Sequence, residues 1–449
     1  MKKKVSRLLL ATSMCFAISP IAQATGVYAP YVDMTLYPTP VLDNIGVQQG
    51  IQQFTLAFVV SGNNGCTPSW GGVQSIGSGN ASDLLTSIAN SVKNYRAKGG
   101  EVAVAFGGAN GVPLQQACTS TAALKTAYQT VIDTYGATHI DFDIEGGAQE
   151  DTASLTRNFQ AVAQLQSAMA TKGTPLHVTL TLPVMPYGLT PDGVSVVNAA
   201  LTNKVSIDGV NVMAMDYGTA NGDMGSAATQ AASGLYSQLD AAYKAIGQTK
   251  TNAQLWQLVG VTPMIGMNDT QGETFTAANA KSLLSFAQTN NLGLLANWSV
   301  GRDKSCPNNG AYTAADCSGV VQKPYDFANT FRQVNGHWGT GVTQDPTYAG
   351  GDSGSGGVVD GMPWNASQTY LAGNTVTYNG GTYKAGWWTQ GDVPGQSSVW
   401  QQTSGPAQTW SAGAAYSGGT CVMYNKAKYC AQWWTQGDVP SNGGVWVKS

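Results

Sequence analysis

Three carboxyl side chains stand at alternate positions in His139-Ile140-Asp141-Phe142-Asp143-Ile144-Glu145. In an extended chain that spacing puts Asp141, Asp143 and Glu145 on one face and Ile140, Phe142 and Ile144 on the other. Successive acids on such a face lie about 6–7 Å apart, close enough for each to change its neighbour's proton affinity. The apolar face must pack against helices or a second sheet, which turns the acids toward a barrel interior or a cleft. A solvated edge strand is the plain alternative. Edge strands carry Lys or mixed polar residues, however, and stacked acids without counter-charge repel one another. No Lys or Arg lies between Lys98 and Lys125, nor between Lys125 and Arg157. An uncompensated acid row of this kind is suited to holding and delivering a proton.

The segments around the row define what must position it. Apolar β-type runs lie at 26–32, 53–60, 101–106, 139–144, 177–184, 208–215, 257–265 and 292–299, eight in all. Helical patterns separate them, such as 83–98, where Leu84, Ile88, Val92 and Tyr95 share a face before the Gly99-Gly100 stop, and a second from about 153 to 172. Eight near-continuous apolar strands alternating with helices predict an α/β fold, a parallel (β/α)8 TIM barrel. An open doubly wound sheet would need a Gly-rich phosphate loop after its first strand, where this chain has Ala29-Pro30-Tyr31. In a barrel the acids climb strand 4 and Glu145 arrives at the C-terminal mouth, where such barrels keep their chemistry.

The 449-residue chain is long enough for one large domain and small ones besides. Residues 1–24 read as a signal peptide: Lys2, Lys3, Lys4 and Arg7, then a mainly apolar run, then Ala22-Gln23-Ala24. That run is too short to span a membrane, no lipid anchor is expected, and the protein is expected to be secreted. Without the segment the formal charge moves from −3 to −7, since four positive charges leave. An acidic surface argues against nucleic acid and anionic membranes, and the low charged fraction of 10% suits neutral ligands. Beyond Cys15 six cysteines remain, an even count that predicts disulfides. Proximity favours Cys306–Cys317 and Cys421–Cys430, leaving Cys66 with Cys118. The three His are scattered, so no metal or other cofactor is expected.

The catalytic barrel is expected over 25–340, and a Gly/Ser/Asp-rich linker over 341–361. Beyond it two units, 362–403 and 408–449, repeat at an offset of 46. Trp364, Tyr370, Tyr383 and Trp400 return as Trp410, Tyr416, Tyr429 and Trp446, and WWTQGDVP occurs twice. Units this small cannot hide so much aromatic surface, so some rings must be exposed. Exposed flat rings bind the apolar faces of sugars, and tandem copies raise avidity on a repetitive polymer. The paired Trp387, Trp388, Trp433 and Trp434 are the candidates.

These features together resemble bacterial chitinases of glycoside hydrolase family 18, over nearly the whole mature chain, with small chitin-binding modules appended. The family's DGxDxDxE motif has its last five positions intact here as Asp141 to Glu145. The resemblance implies that Glu145 is the general acid, that Asp143 steadies the substrate's acetamido group, and that Asp141 shares a proton with Asp143. It implies a catalytic role for Asp216, in MAMDYG, and sugar-site roles for Tyr31, Gly107, Gly108, Met213, Met215, Tyr217 and Trp298. Three departures stand out. Thr138-His139 replaces Asp-Gly, Ala105 replaces the Ser of strand 3, and Met215 replaces a Tyr for which Tyr217 is the candidate substitute.

The resemblance implies a secreted chitinase cleaving β-1,4 bonds between N-acetylglucosamine units with retention, acting on chitin and chito-oligosaccharides as a monomer. About 26 residues separate strands 7 and 8, too few for a groove-deepening α+β insertion, so internal cleavage is expected. The alternatives weighed are an endo-β-N-acetylglucosaminidase of glycoprotein glycans and a chitin-binding lectin. A last expectation concerns Ala105. With its family donor gone, His139, on the inward parity of strand 4, is a candidate to hydrogen-bond Asp141, the alternative being a place in the barrel floor.

Overall fold

The computed structural model describes residues 26–36, 38–63, 65–77, 82–218, 222–348, 362–366, 369–370, 373–386, 389–397, 399–416 and 418–449. The expected signal peptide lies outside the described residues.

Eight parallel strands close on themselves. They are β1 (Val27–Tyr28 and Tyr31–Asp33), β2 (Gln53–Ser61), β3 (Glu101–Gly107), β4 (His139–Asp143), β5 (His177–Met185), β6 (Gly209–Ala214), β7 (Val259–Pro263) and β8 (Leu294–Leu295). Each pairs in parallel with the next, and β8 returns to β1 through Val27↔Leu294, which closes the barrel. All eight fall on runs that the sequence marks as strands.

Among the described residues, eight of the ten α-helices form the outer ring: α1 (Leu42–Gln49), α2 (Asp83–Ala97), α3 (Thr121–Tyr135), α4 (Thr152–Thr171), α5 (Pro191–Thr202), α6 (Met224–Ala245), α7 (Ala277–Asn290) and α8 (Asp326–Phe331). Local chemistry starts and stops them. Ser120 caps α3 by accepting from the Ala123 amide, and Gly136 ends it at φ 57°, a left-handed conformation that glycine adopts without strain. Thr276 and Asn279 form a reciprocal capping box at α7. The outward side chains of β4, Ile140 and Phe142, and Ile144 just past its end are buried against this ring, Phe142 meeting Phe106 and Tyr128 at 5.6 and 5.3 Å. Burying large apolar side chains of this kind contributes about 1.5–3 kcal/mol each, and it fixes the face on which the acids must lie.

Disulfides join Cys66–Cys118, Cys306–Cys317 and Cys421–Cys430, the pairing expected. The first ties the loop after β2 to the loop after β3. Among the described residues no helix is long and apolar enough to cross a membrane.

One boundary needs correction. Residues 341–348, which composition assigns to the linker, pack on the barrel floor. Gly341 N donates to Gly99 O, Val342 N to Gln52 Oε1, Asp345 N to Val47 O, and the Tyr348 hydroxyl to Asp43 Oδ2. These contacts are mostly hydrogen bonds to backbone and amide groups, which leave no hydrophobic period in the sequence.

The two C-terminal units are small all-β bodies of one design. The first has a four-stranded sheet of Met362–Pro363, Thr375–Tyr378, Gly381–Ala385 and Trp400–Ser404. The second repeats it as Gln408–Thr409, Cys421–Tyr424, Ala427–Ala431 and Trp446–Lys448. Each has its own core, around Tyr370, Tyr383 and Trp400 in one and Tyr416, Val422 and Trp446 in the other.

Candidate active site

Strand alternation delivers the acids as expected. Asp141 and Asp143 face the barrel interior, each 3% exposed, and half-buried Glu145 follows at the mouth. Asp141 is the innermost. It accepts the Tyr31 hydroxyl at 2.9 Å on Oδ2 and the Thr181 hydroxyl at 2.7 Å on Oδ1. Burial raises its carboxyl to about 7, and these two bonds hold it from rising further. Asp143 sits between the other two acids, and its Oδ1 accepts no hydrogen bond from the described residues. Burial, then the charges of Glu145 and Asp141, raises Asp143 well above the usual carboxylate range. Burial also raises Glu145, and a hydrogen bond from Asp143 works against that rise.

A groove of about 420 Å³ opens above the row. Asp143 and Glu145 line its base, with Tyr31, Phe58 and Trp298 as an aromatic floor and wall. Phe58 and Trp298 stack with centroids 5.4 Å apart, and Tyr31 meets each at 6.0 and 6.2 Å. Met213, Met215 and Asp216 line the opposite side, with Thr181, Thr262 and Asp269. Asp216 holds φ 47°, its carboxylate accepts Thr270 N at 2.7 Å, and Asn268 Oδ1 accepts its amide at 3.4 Å. A hairpin of Gly266–Met267 with Thr274–Phe275 therefore fixes the turn that carries Asp216.

Other candidates land elsewhere. Tyr217 does not line the groove: it is 4% exposed within the main apolar core, because the left-handed turn at Asp216 changes the side to which its neighbour points. Gly107 and Gly108 lie behind the groove wall. A Cβ on Gly107 would stand 2.0 Å from the Asp143 carbonyl oxygen, and one on Gly108 would stand 2.8 Å from the Phe58 ring. Both glycines serve close approach between strands. His139 makes no bond to Asp141. Its imidazole stacks between His177 and Trp338 at 4.5 and 4.2 Å and bonds Thr138 Oγ1 through Nδ1. The inward parity was legible, but one step down the strand reaches the floor, and the bonds to Asp141 come from β1 and β5 instead.

Trp387 and Trp388 lie outside the described residues. Their counterparts Trp433 and Trp434 are 57% and 61% exposed, in a unit whose other Trp are buried or partly so. Phe58, Thr181, Asn211 and Thr262 belong to the site and carry no sequence signal beyond ordinary strand composition. Among the described residues no group of three or more His, Cys, Asp or Glu side chains is placed to hold a metal ion.

Comparison with known proteins fits this geometry. Residues 363–401 and 409–447 each match carbohydrate-binding module family 5/12. The barrel is similar to a probable bifunctional chitinase/lysozyme of Escherichia coli (strain K12), 38% identical over 287 residues, covering 62% of this chain and 31% of that protein. It is similar also to endochitinase 11 of Metarhizium anisopliae, 36% identical over 290 residues, covering 62% of this chain and 52% of that protein. The chain thus spans a third to a half of the length of these curated relatives. The solved active domain 2 of a chitinase from Pyrococcus furiosus superposes with a TM-score of 0.60 at 30% identity, covering 70% of this chain and 97% of that one. A closed (β/α)8 barrel with the acid row on its fourth strand, followed by two family 5/12 modules, makes this chain a member of the glycoside hydrolase family 18 chitinases.

Proposed function

We propose that the protein is a secreted chitinase that cleaves β-1,4 bonds between N-acetylglucosamine units, with Glu145 as the general acid. One observation carries this reading: Asp143 on β4 and Glu145 just past its end line the base of an aromatic-floored groove, with Asp141 buried beneath them. Burial holds the Glu145 carboxyl up, which is what a donor to a glycosidic oxygen needs near neutral pH. In this reading Glu145 protonates the leaving oxygen as the bond to the anomeric carbon breaks. The substrate's own acetamido oxygen attacks that carbon, giving a cyclic oxazolinium. Water then opens it from the same face, losing a proton to Glu145, and configuration is retained. This substrate-assisted route is the known family exception to the two-carboxylate scheme. The open Oδ1 of Asp143 suits the acetamido N–H and the positive charge that develops there.

Trp298, backed by Phe58, stacks on a sugar ring, Met213, Met215 and Asp216 hold the facing edge, and the exposed Trp433 and Trp434 hold insoluble polymer. The segment between β7 and β8 supplies only a short hairpin and α7, which supports an open groove and internal cleavage. The names of the relatives support the same substrate class. Glu145→Gln keeps shape and loses the transferable proton. It should lower turnover of an unactivated chito-oligosaccharide by about 10²–10⁴-fold or more while chitin binding persists. Activity within about tenfold of wild type would sink the assignment.

A further inference from the structure

Arg302 is 1% exposed, and among the described residues no carboxylate lies within ion-pairing distance of it. Its guanidinium donates to backbone carbonyls instead. Nη2 reaches Ile265 O at 3.1 Å, just past the end of β7, and Met267 O at 2.6 Å, in the hairpin that follows. Nη1 donates to Ala314 O, inside the loop that Cys306–Cys317 closes. A guanidinium is planar, keeps its charge when buried and holds its donors in a fixed fork. One that joins carbonyls from separate segments therefore sets their positions relative to one another. Burial pushes the Arg302 guanidinium down from its ordinary range, and the charges of Asp269 and then Asp216 oppose that. Both acids line the groove, so the buried cation acts on the wall that it ties together.

The hairpin passes this constraint to Asp216. Asn268 Oδ1 accepts the Asp216 amide at 3.4 Å, Thr270 N donates to the Asp216 carboxylate at 2.7 Å, and Glu273 Oε2 accepts the Tyr217 amide at 3.1 Å. Asn268 is itself held, its Nδ2 donating to Met264 O at 2.9 Å and to Gly266 O at 3.2 Å. From the other side Thr313 Oγ1 donates to Asn268 O at 3.1 Å, and Ser318 O accepts Met267 N at 2.8 Å. A residue other than glycine keeps φ 47°, as Asp216 does, only where its surroundings fix it. The groups that fix it here sit on a hairpin whose two strands, among the described residues, pair with each other and with no barrel strand. The place of that hairpin therefore depends on Arg302 and on the disulfide-closed loop behind it.

We infer that Arg302 is a positioning residue for the reaction: its guanidinium pins the hairpin after β7 to the Cys306–Cys317 loop and so holds the Asp216 turn at the groove. This rests on the catalytic reading above and adds to it a residue that lines neither the groove nor the acid row. The disulfide then has a part in turnover as well as in stability, because it closes the loop that presents Ala314.

The test measures kcat/KM on a soluble chito-oligosaccharide with the full chain, at a temperature where unfolding curves show each variant folded. Arg302→Met removes fork and charge and should lower kcat/KM by about 10- to 100-fold, as small displacements of positioned groups do. Arg302→Lys keeps the charge on a single donor head and should recover part of that loss. Each is then repeated in Asp216→Ala. With the side chain whose place it sets removed, Arg302→Met should cost less than about threefold more. Losses that multiply in full would make Arg302 a residue of the fold only and refute the proposal, as would a folded Arg302→Met of wild-type activity. If Arg302→Met does not fold, Cys306→Ser with Cys317→Ser loosens Ala314 without touching the guanidinium. That pair should lower kcat/KM beside Asp216 and leave it unchanged in Asp216→Ala. An equal loss in both backgrounds, or none in either, would refute the proposal in the same way. Every variant of the cycle keeps Glu145, so the cycle can fail while Glu145 stands. The coupling of Arg302 to Asp216 can equally hold if Glu145→Gln removes Glu145 from its role.

Discussion

Phe58 lies face to face with Trp298, planes 21° from parallel, although they come from strands on either side of β1. Trp298 was legible as a residue of the groove, but the ring that backs it was not. An aromatic pair contributes about 0.5–1.5 kcal/mol beyond buried area. Phe58→Ala should therefore raise KM for a soluble chito-oligosaccharide roughly 2- to 10-fold, with a smaller change in kcat. Steady-state kinetics would decide, and an unchanged KM would remove Phe58 from the sugar site.

Gly107 holds φ 106° and admits no side chain, since its Cβ would meet the Asp143 carbonyl oxygen at 2.0 Å. Gly107→Ala must displace β3 or Asp143, at a cost of about 1–3 kcal/mol in stability. Because the displaced residue carries the middle acid, turnover should fall even at temperatures where the variant remains folded. Denaturant unfolding and turnover, measured together, test this. An active variant of native stability would show that β3 yields without disturbing the row.

His139 ties stability to pH through burial of a neutral ring. Burial first, then the neighbouring His177, lowers its imidazole to about 3. In the unfolded chain the ring titrates near 6.5. Between these values the unfolded chain takes up a proton that the folded chain refuses, so stability falls as pH drops from about 6.5 toward 3. His139→Phe keeps a ring between His177 and Trp338 and removes the titration. Its stability relative to wild type should be greater at about pH 4.5 than at about pH 8. The same difference at both values, in urea melts, would mean that the imidazole is not held neutral.

The C-terminal units have their own cores, so binding and chemistry should separate. A chain ending after Tyr348, which keeps the floor contacts, should turn over soluble oligosaccharides nearly as the full chain does and lose much of its activity on insoluble chitin. Trp433→Ala with Trp434→Ala should weaken adsorption to chitin beads, a stacked ring being worth about 1–3 kcal/mol by analogy with bases. Undiminished adsorption would assign polymer binding to the first unit alone.

What could be read without coordinates follows the range of the signal. The acids of β4 and the eight strands repeat at a period of two or sit in continuous apolar runs, so local pattern suffices. The duplicated Trp pair was legible because a 40-residue unit cannot bury it. Thr181 and Asn211 are ordinary strand residues until three strands converge on Asp141. Tyr217 shows the limit of counting along the chain, because one left-handed residue before it reverses its side. Residues 341–348 show another limit, since hydrogen bonds to a barrel floor leave no apolar period.

The packed segment ending at Tyr348 has a mechanical consequence. It leaves the barrel beside the C-terminal end of α1, where Gln48 Nε2 holds the Tyr348 carbonyl at 2.7 Å, at the end of the strands remote from Glu145. Residues 349–361 can span at most about 45 Å fully extended, and a nine-residue strand such as β2 is itself about 30 Å long. The binding units are thus tethered at the heel of the barrel while its mouth opens at the other end. Fully extended, that tether is longer than the barrel is tall, so the first unit can come level with the mouth. Where the units hold on to polymer therefore limits how far away the groove can work, without setting the angle at which it arrives.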